Sequence, residues 1–135
     1  MRFIDSNIWL YGLIESDDTA KHEAAESFID SIARPIVSTQ VVNEVCANAI
    51  RKASYDHEQV AELIASFDED CVVIPVTVAS MTKANDLRAR YSLSFWDSQL
   101  AACALLAGCT MLESEDMQDG LVIEGTLTIH NPFME

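Results

Sequence analysis

The chain has 135 residues, half of them hydrophobic, which is enough for one domain with a sizeable core and excludes a disordered chain. Its 22 acids against 8 bases give a net charge of −14. That excludes nucleic-acid binding by Lys and Arg alone, because phosphate contacts need cations, but clustered acids can still hold a divalent cation or attract a basic partner.

Met1-Arg2 leads directly into Phe3-Ile4, which reads as a short buried strand. No signal peptide is expected, no apolar run has the length of a membrane span, and a cytoplasmic protein follows. Polar Asp5-Ser6-Asn7 ends the strand, and Ile8-Trp9-Leu10-Tyr11 begins a helix. Asp17-Asp18-Thr19 carries capping signals for a second helix, in which Ala20, Ala24, Ala25, Phe28, Ile29 and Ile32 recur at helical spacing. Pro35–Ser38 reads as a second strand. Thr39 is placed to cap the next helix, with Val41, Val42, Val45, Cys46, Ala49 and Ile50 on its apolar face. Arg51 and Lys52 suit its C-terminus. After Tyr55-Asp56 a further helix presents Val60, Leu63, Ile64 and Phe67. Cys71–Ile74 reads as a third strand, stopped by Pro75. Thr77 caps a helix carrying Val78, Met81, Ala84 and Tyr91.

From Phe95 to Ala107 the chain is almost wholly apolar, rich in Leu and Ala, and free of Gly and Pro, so it reads as a central helix. Gly108 is placed to stop it. Near its start, Ser94-x-x-Asp97 resembles a capping box, so Asp97 is either a cap or the centre of a site. Thr110–Leu112 reads as a fourth strand and alternating Leu127–His130 as a last one. Short strands separated by helices imply an α/β protein with a largely parallel sheet. Cys46, Cys71, Cys103 and Cys109 form no C-x-x-C pair and read as buried thiols. No glycine-rich phosphate loop is present, which disfavours dinucleotide and P-loop sites.

In open α/β sheets ligands bind beyond the carboxyl ends of the strands. Asp5 ends the first strand, Glu44 lies about one turn into the helix after the second, Asp97 opens a helix, and Asp116 follows the fourth strand. Alone, each has a plain explanation as turn, cap or solvated residue, and Asp116 stands among Glu113, Glu115 and Asp119 in what reads as a wet acidic loop. Converging together, such carboxylates repel by about a kcal/mol or more per pair at intermediate dielectric. A divalent cation offsets that, and oxygen-only ligation suits Mg²⁺ or Mn²⁺.

Four segments in order, Phe3-Ile4-Asp5-Ser6-Asn7, Val42-Asn43-Glu44-Val45, Leu93-Ser94-Phe95-Trp96-Asp97-Ser98 and Ser114-Glu115-Asp116-Met117-Gln118-Asp119-Gly120, resemble a PIN-domain protein. More narrowly, the chain resembles the VapC-type ribonuclease toxins of toxin–antitoxin pairs, which also often close on a segment like Asn131-Pro132-Phe133. The likeness runs essentially from end to end, over residues 1–135 as one domain. It implies a three-layer α/β fold with a mostly parallel sheet of order 3-2-1-4-5, an Mg²⁺- or Mn²⁺-dependent endoribonuclease, a cognate antitoxin and a homodimer. Asp5, Glu44, Asp97 and Asp116 then match the family's acidic quartet, a role that leaves Asp97 free to cap its helix as well. Asp5, Asp97 and Asp116 would serve the metal, Glu44 the attacking water. Asn7 and Ser114 match polar positions that assist such sites, and Arg88 and Arg90 are candidate phosphate contacts.

Two other classes compete with this reading. A PIN-fold binding module with little nuclease activity would use the acid groove to receive a basic partner. A haloacid-type phosphatase wants a second Asp where Asn7 stands, and a receiver domain wants a late Lys, whereas the last lysine here is Lys83.

Overall fold

The computed structural model describes residues 1–14 and 18–134. Among them the elements run β1 (Arg2–Ile4), α1 (Ser6–Leu13), α2 (Thr19–Asp30), β2 (Ile36–Ser38), α3 (Thr39–Ala53), α4 (His57–Asp70), β3 (Val72–Ile74), α5 (Val78–Tyr91), α6 (Phe95–Leu106), β4 (Met111–Glu113), β5 (Val122–Ile123) and β6 (Leu127–His130). The sheet has the order β3-β2-β1-β4-β6-β5. It is parallel except at one edge, where β5 pairs antiparallel with β6.

The five expected strands stand in their expected order, the last being β6. The correction is β5, a two-residue strand that makes a sixth. The chain reverses after it on Glu124 and Gly125, both at positive φ, 53° and 69°. Two apolar residues carry no alternation, so the hairpin has no sequence period to announce it.

Successive strand residues face opposite sides of a sheet. Phe3 and Ile4, and likewise Ile36 and Val37, are all buried, so helices cover both faces. Burying each such side chain is worth about 1.5–3 kcal/mol. On α6, every residue from Ser98 to Ala104 is buried. The small side chains of Ala101, Ala102 and Ala104 let α5 lie close along it. Gly108, at φ +77°, ends α6 in a Schellman motif: its N–H donates to the Leu105 carbonyl, and that of Cys109 to Ala104.

Several local expectations need correcting. Ser38, not Thr39, caps α3, accepting the Val41 N–H, while the Thr39 hydroxyl accepts the Val76 N–H instead. Cys71 is the C-cap of α4 and precedes β3. On α5 the buried residues are Ser80, Ala84 and Leu87, whereas Val78 and Met81 are exposed. Ser80 tolerates burial because its hydroxyl donates to the Thr77 carbonyl and accepts the Thr77 N–H. On α4, Ile64 is exposed beside buried Leu63 and Phe67, and Ile50 of α3 and Ala20 of α2 also face outward. Glu113 belongs to no wet loop: it is 0% exposed in β4, with His130 and Arg2 as ionic partners. Asp18 caps α2, and the capping expected of Asp17 lies outside the described residues. All four thiols are free and buried. Among the described residues no helix is long and apolar enough to cross a membrane.

Candidate active site

From β1 the sheet extends through β2 and β3 on one side and through β4 on the other. The strand order therefore reverses at β1 and β4, where an open α/β sheet leaves a crevice beyond its carboxyl ends. Asp5 follows β1 there. Its N–H extends the ladder to the Glu113 carbonyl at 3.0 Å. Its carboxylate caps α1, Oδ1 accepting the Ser6 N–H at 2.6 Å. Oδ2 accepts the Ser114 hydroxyl, just past β4, at 2.8 Å. Asp5 is only 5% exposed. Burial pushes its carboxyl from 3.8 up to about 6; the bonds from Ser114 and Ser6 oppose the rise, and the charges of Glu44 and Asp116 add to it.

Glu44 reaches the same place from α3. Its Oε2 accepts the Ser6 hydroxyl at 2.8 Å and its Oε1 the Gln40 amide at 3.0 Å. Asn48, one turn on, donates to the Glu44 carbonyl at 2.8 Å. Ser6 has one hydroxyl proton and gives it to Glu44, while lying 3.3 Å from Asp5 Oδ1. One serine thus fixes the spacing of two acids.

Asp97 is placed by its helix start. The chain leaves α5 through Ser92 in the left-handed region, so that Ser94 caps α6 and accepts the Asp97 N–H at 3.1 Å. Half-buried Asp97 has its carboxyl pushed up, first by burial, then by the charge of Asp116, against a lowering bond to Ser94. Asp116 is exposed, and its Oδ2 accepts the Asn7 amide at 2.9 Å. Its charge bears on both Asp5 and Asp97, so the four acids form one electrostatic group.

The neighbours of Asp116 are otherwise engaged. Glu115 accepts from the Tyr11 hydroxyl at 2.7 Å and is ion-paired with Lys21, whose ammonium lies 4.5 Å from the Tyr11 ring centre and 5.0 Å from that of Phe133. Asp119 accepts the Asn131 N–H at 2.8 Å. The two arginines are not gathered with the acids. Arg90 is tied to Asp86 and Glu124, and Arg88 approaches Asn85 at 3.5 Å.

Among the described residues no three His, Cys, Asp or Glu side chains are drawn into a ready-made metal cage. A small hard cation that keeps several waters and takes one or two carboxylates suits that spacing. The donors are oxygens, and Asn7 Oδ1 is buried without a partner beside Asp116. These residues therefore fit Mg²⁺ or Mn²⁺ better than zinc. Sequence reasoning missed three supporting residues. Gln40 was detectable, four residues before Glu44 on the same helix face. Ser6 and Tyr11 carried no signal, since both bonds depend on chain crossings that the sequence does not display.

The family model of the PIN domain matches residues 2–118. Among solved structures, the chain is similar to a toxin-antitoxin complex from Klebsiella pneumoniae, at 17% identity over 98% of each chain and a TM-score of 0.75. It is also similar to VapC20 of Mycobacterium tuberculosis, a sarcin-ricin loop cleaving toxin, at 20% identity, 83% of this chain, 87% of that one and a TM-score of 0.67. A third is VapBC2 from Rickettsia felis bound to a DNA fragment from its promoter, at 14% identity, 96% and 97% coverage and a TM-score of 0.68. No curated protein sequence matches significantly. At these identities the structures share its fold, and the family model settles the rest: this chain belongs to the PIN domain family.

Proposed function

We propose that this protein is a metal-dependent endoribonuclease of the VapC type, the toxin of a toxin–antitoxin pair. The observation that carries it is the acid group itself: buried Asp5, held to Glu44 through Ser6, sharing the field of Asp116 with Asp97. Carboxyls raised by burial and by each other's charge are a feature that gathers at functional sites. The PIN family and the toxin neighbours support the same assignment.

Asp5 and Asp97 would hold one Mg²⁺ or Mn²⁺, with Asp116 supporting it. When bound, the metal activates water, neutralises phosphate charge and stabilises the leaving oxygen. Glu44 orients the attacking water and accepts its proton; Gln40 and Ser6 fix the carboxylate for that task. Asn7 steadies Asp116 and Ser114 steadies Asp5. Attack in line on a phosphodiester leaves a 5′-phosphate and a 3′-hydroxyl.

The antitoxin places a basic side chain among the same acids, a contact the −14 charge favours at encounter. The active form is a homodimer. Cleavage of a single-stranded RNA with Mn²⁺, followed by end-group analysis, tests the chemistry. Products ending in 5′-phosphate support it; 2′,3′-cyclic phosphates formed equally in EDTA refute it.

A further inference from the structure

We propose that Trp96, braced edge-on by Phe95, is a platform on which one unpaired nucleobase of the RNA stacks beside the phosphate presented to the acids. This rests on the ribonuclease assignment and adds what the acids lack, a grip on the substrate.

The two tryptophans have opposite fates. Trp9 is 8% exposed, edge-to-face with Phe67 and donating its indole N–H to the Ile4 carbonyl. Trp96 is 61% exposed and Phe95 55%. They are the first two residues of α6, and Asp97 is the third. Scattered exposed apolar side chains need no explanation. These two are paired, with ring centres 4.9 Å apart and planes at 89°. The edge-to-face contact orients the rings, so less ordering remains to be done when a flat ligand arrives.

Charge decides what that ligand is. Arg2, Lys21, Lys83 and Arg90 are spent on Glu113, Glu115 and Glu124 within the fold. A strongly acidic protein with four of its eight bases so engaged gains from a charge-independent hold on nucleic acid, and stacking on aromatic rings supplies one for any base. Two aromatic side chains offer at most about 300–500 Å², short of the about 800 Å² a side that a standard protein interface buries. Stacking needs a splayed base, so the substrate is single-stranded at the cut.

The test uses full-length protein with Glu44→Gln, which holds RNA uncut in Mg²⁺, and a mixed-sequence single-stranded RNA dodecamer as probe. Because Trp9 is buried, added RNA should quench the Trp96 emission, and the same sequence as a duplex should not. Trp96→Ala in that background should weaken binding by about five- to a hundredfold, and Trp96→Tyr by about threefold or less. With Glu44 intact, Trp96→Ala should raise KM and leave kcat unchanged, and circular dichroism should match the parent. Unchanged RNA affinity in Trp96→Ala, or RNA bound without any change in Trp96 emission, overturns the platform. So does a Trp96→Ala variant whose sedimentation or antitoxin binding alone is altered, which assigns the rings to a protein contact. If the parent cleaves RNA and Asp97→Asn does not, these failures touch the platform alone. If the parent neither cuts nor binds RNA, the ribonuclease assignment falls and takes the platform with it.

Discussion

Replacing Asp5 with Asn should stabilise the metal-free protein at neutral pH. Burial, with the charges of Glu44 and Asp116, lifts this carboxyl from 3.8 to about 6. Between those values the folded chain keeps a proton that the unfolded chain has released. Stability therefore falls as pH rises through that window, and the loss is complete above about 6. At about 1.4 kcal/mol for each pH unit, the ionised carboxylate costs the fold about 3 kcal/mol at pH 7. The amide carries no charge, and its Oδ1 keeps the Ser6 N–H. Its Nδ2 faces the Ser114 hydroxyl, which loses its acceptor at a cost of about 1 kcal/mol. The net gain is about 2 kcal/mol at pH 7, or about 6 °C in Tm for a chain of this size, and becomes a net loss of up to about 1 kcal/mol near pH 4. Calorimetry in EDTA across that range reads both the gain and its pH dependence. A variant equally destabilised at pH 4 and pH 7 would show that Asp5 is an ordinary cap and that the repulsion is absent.

Three further outcomes follow from the same geometry. Mn²⁺ or Mg²⁺ should raise the Tm of the parent, by the equivalent of about 2.7 kcal/mol at a hundredfold excess over Kd, and should leave that of Asp5→Asn unmoved. A parent Tm indifferent to millimolar metal would exclude a tight site. Ser6→Ala leaves Glu44 without its 2.8 Å donor, so kcat should fall about tenfold, the worth of one hydrogen bond to a charged group. Activity equal to the parent would remove Ser6 from the site. Gly108→Ala forces an L side chain to φ +77°; its Cβ would meet Met1 Cε at an ordinary 3.6 Å, so the cost is backbone strain of about 1–2 kcal/mol, read from the urea midpoint.

The sequence carried the fold wherever burial leaves a period. Phe3-Ile4, Ile36-Val37 and the apolar run of α6 could be assigned because each is buried on two sides. It failed where tertiary contacts overrule local preference. Val122-Ile123 becomes a strand only because β6 is there to pair with it. Ser80 is buried in place of Met81 because its hydroxyl bonds back to its own helix start. Glu113 enters the sheet because His130 and Arg2 meet it there. Asp5, Glu44, Asp97 and Asp116 were legible as acids at the carboxyl ends of strands and the starts of helices. What joins them was not. The Ser6–Glu44 bond spans 38 residues and the Asn7–Asp116 bond 109. Nor could spacing alone separate Asp116 from Glu115, which is drawn off by Tyr11 and Lys21.

Cleavage of total RNA by the purified protein tests the central claim most directly, with Mn²⁺ or with EDTA, and beside Asp97→Asn. The acid group predicts discrete cuts that require the metal and vanish in the variant. Equal cutting by variant and parent, or cutting that survives EDTA, would contradict it.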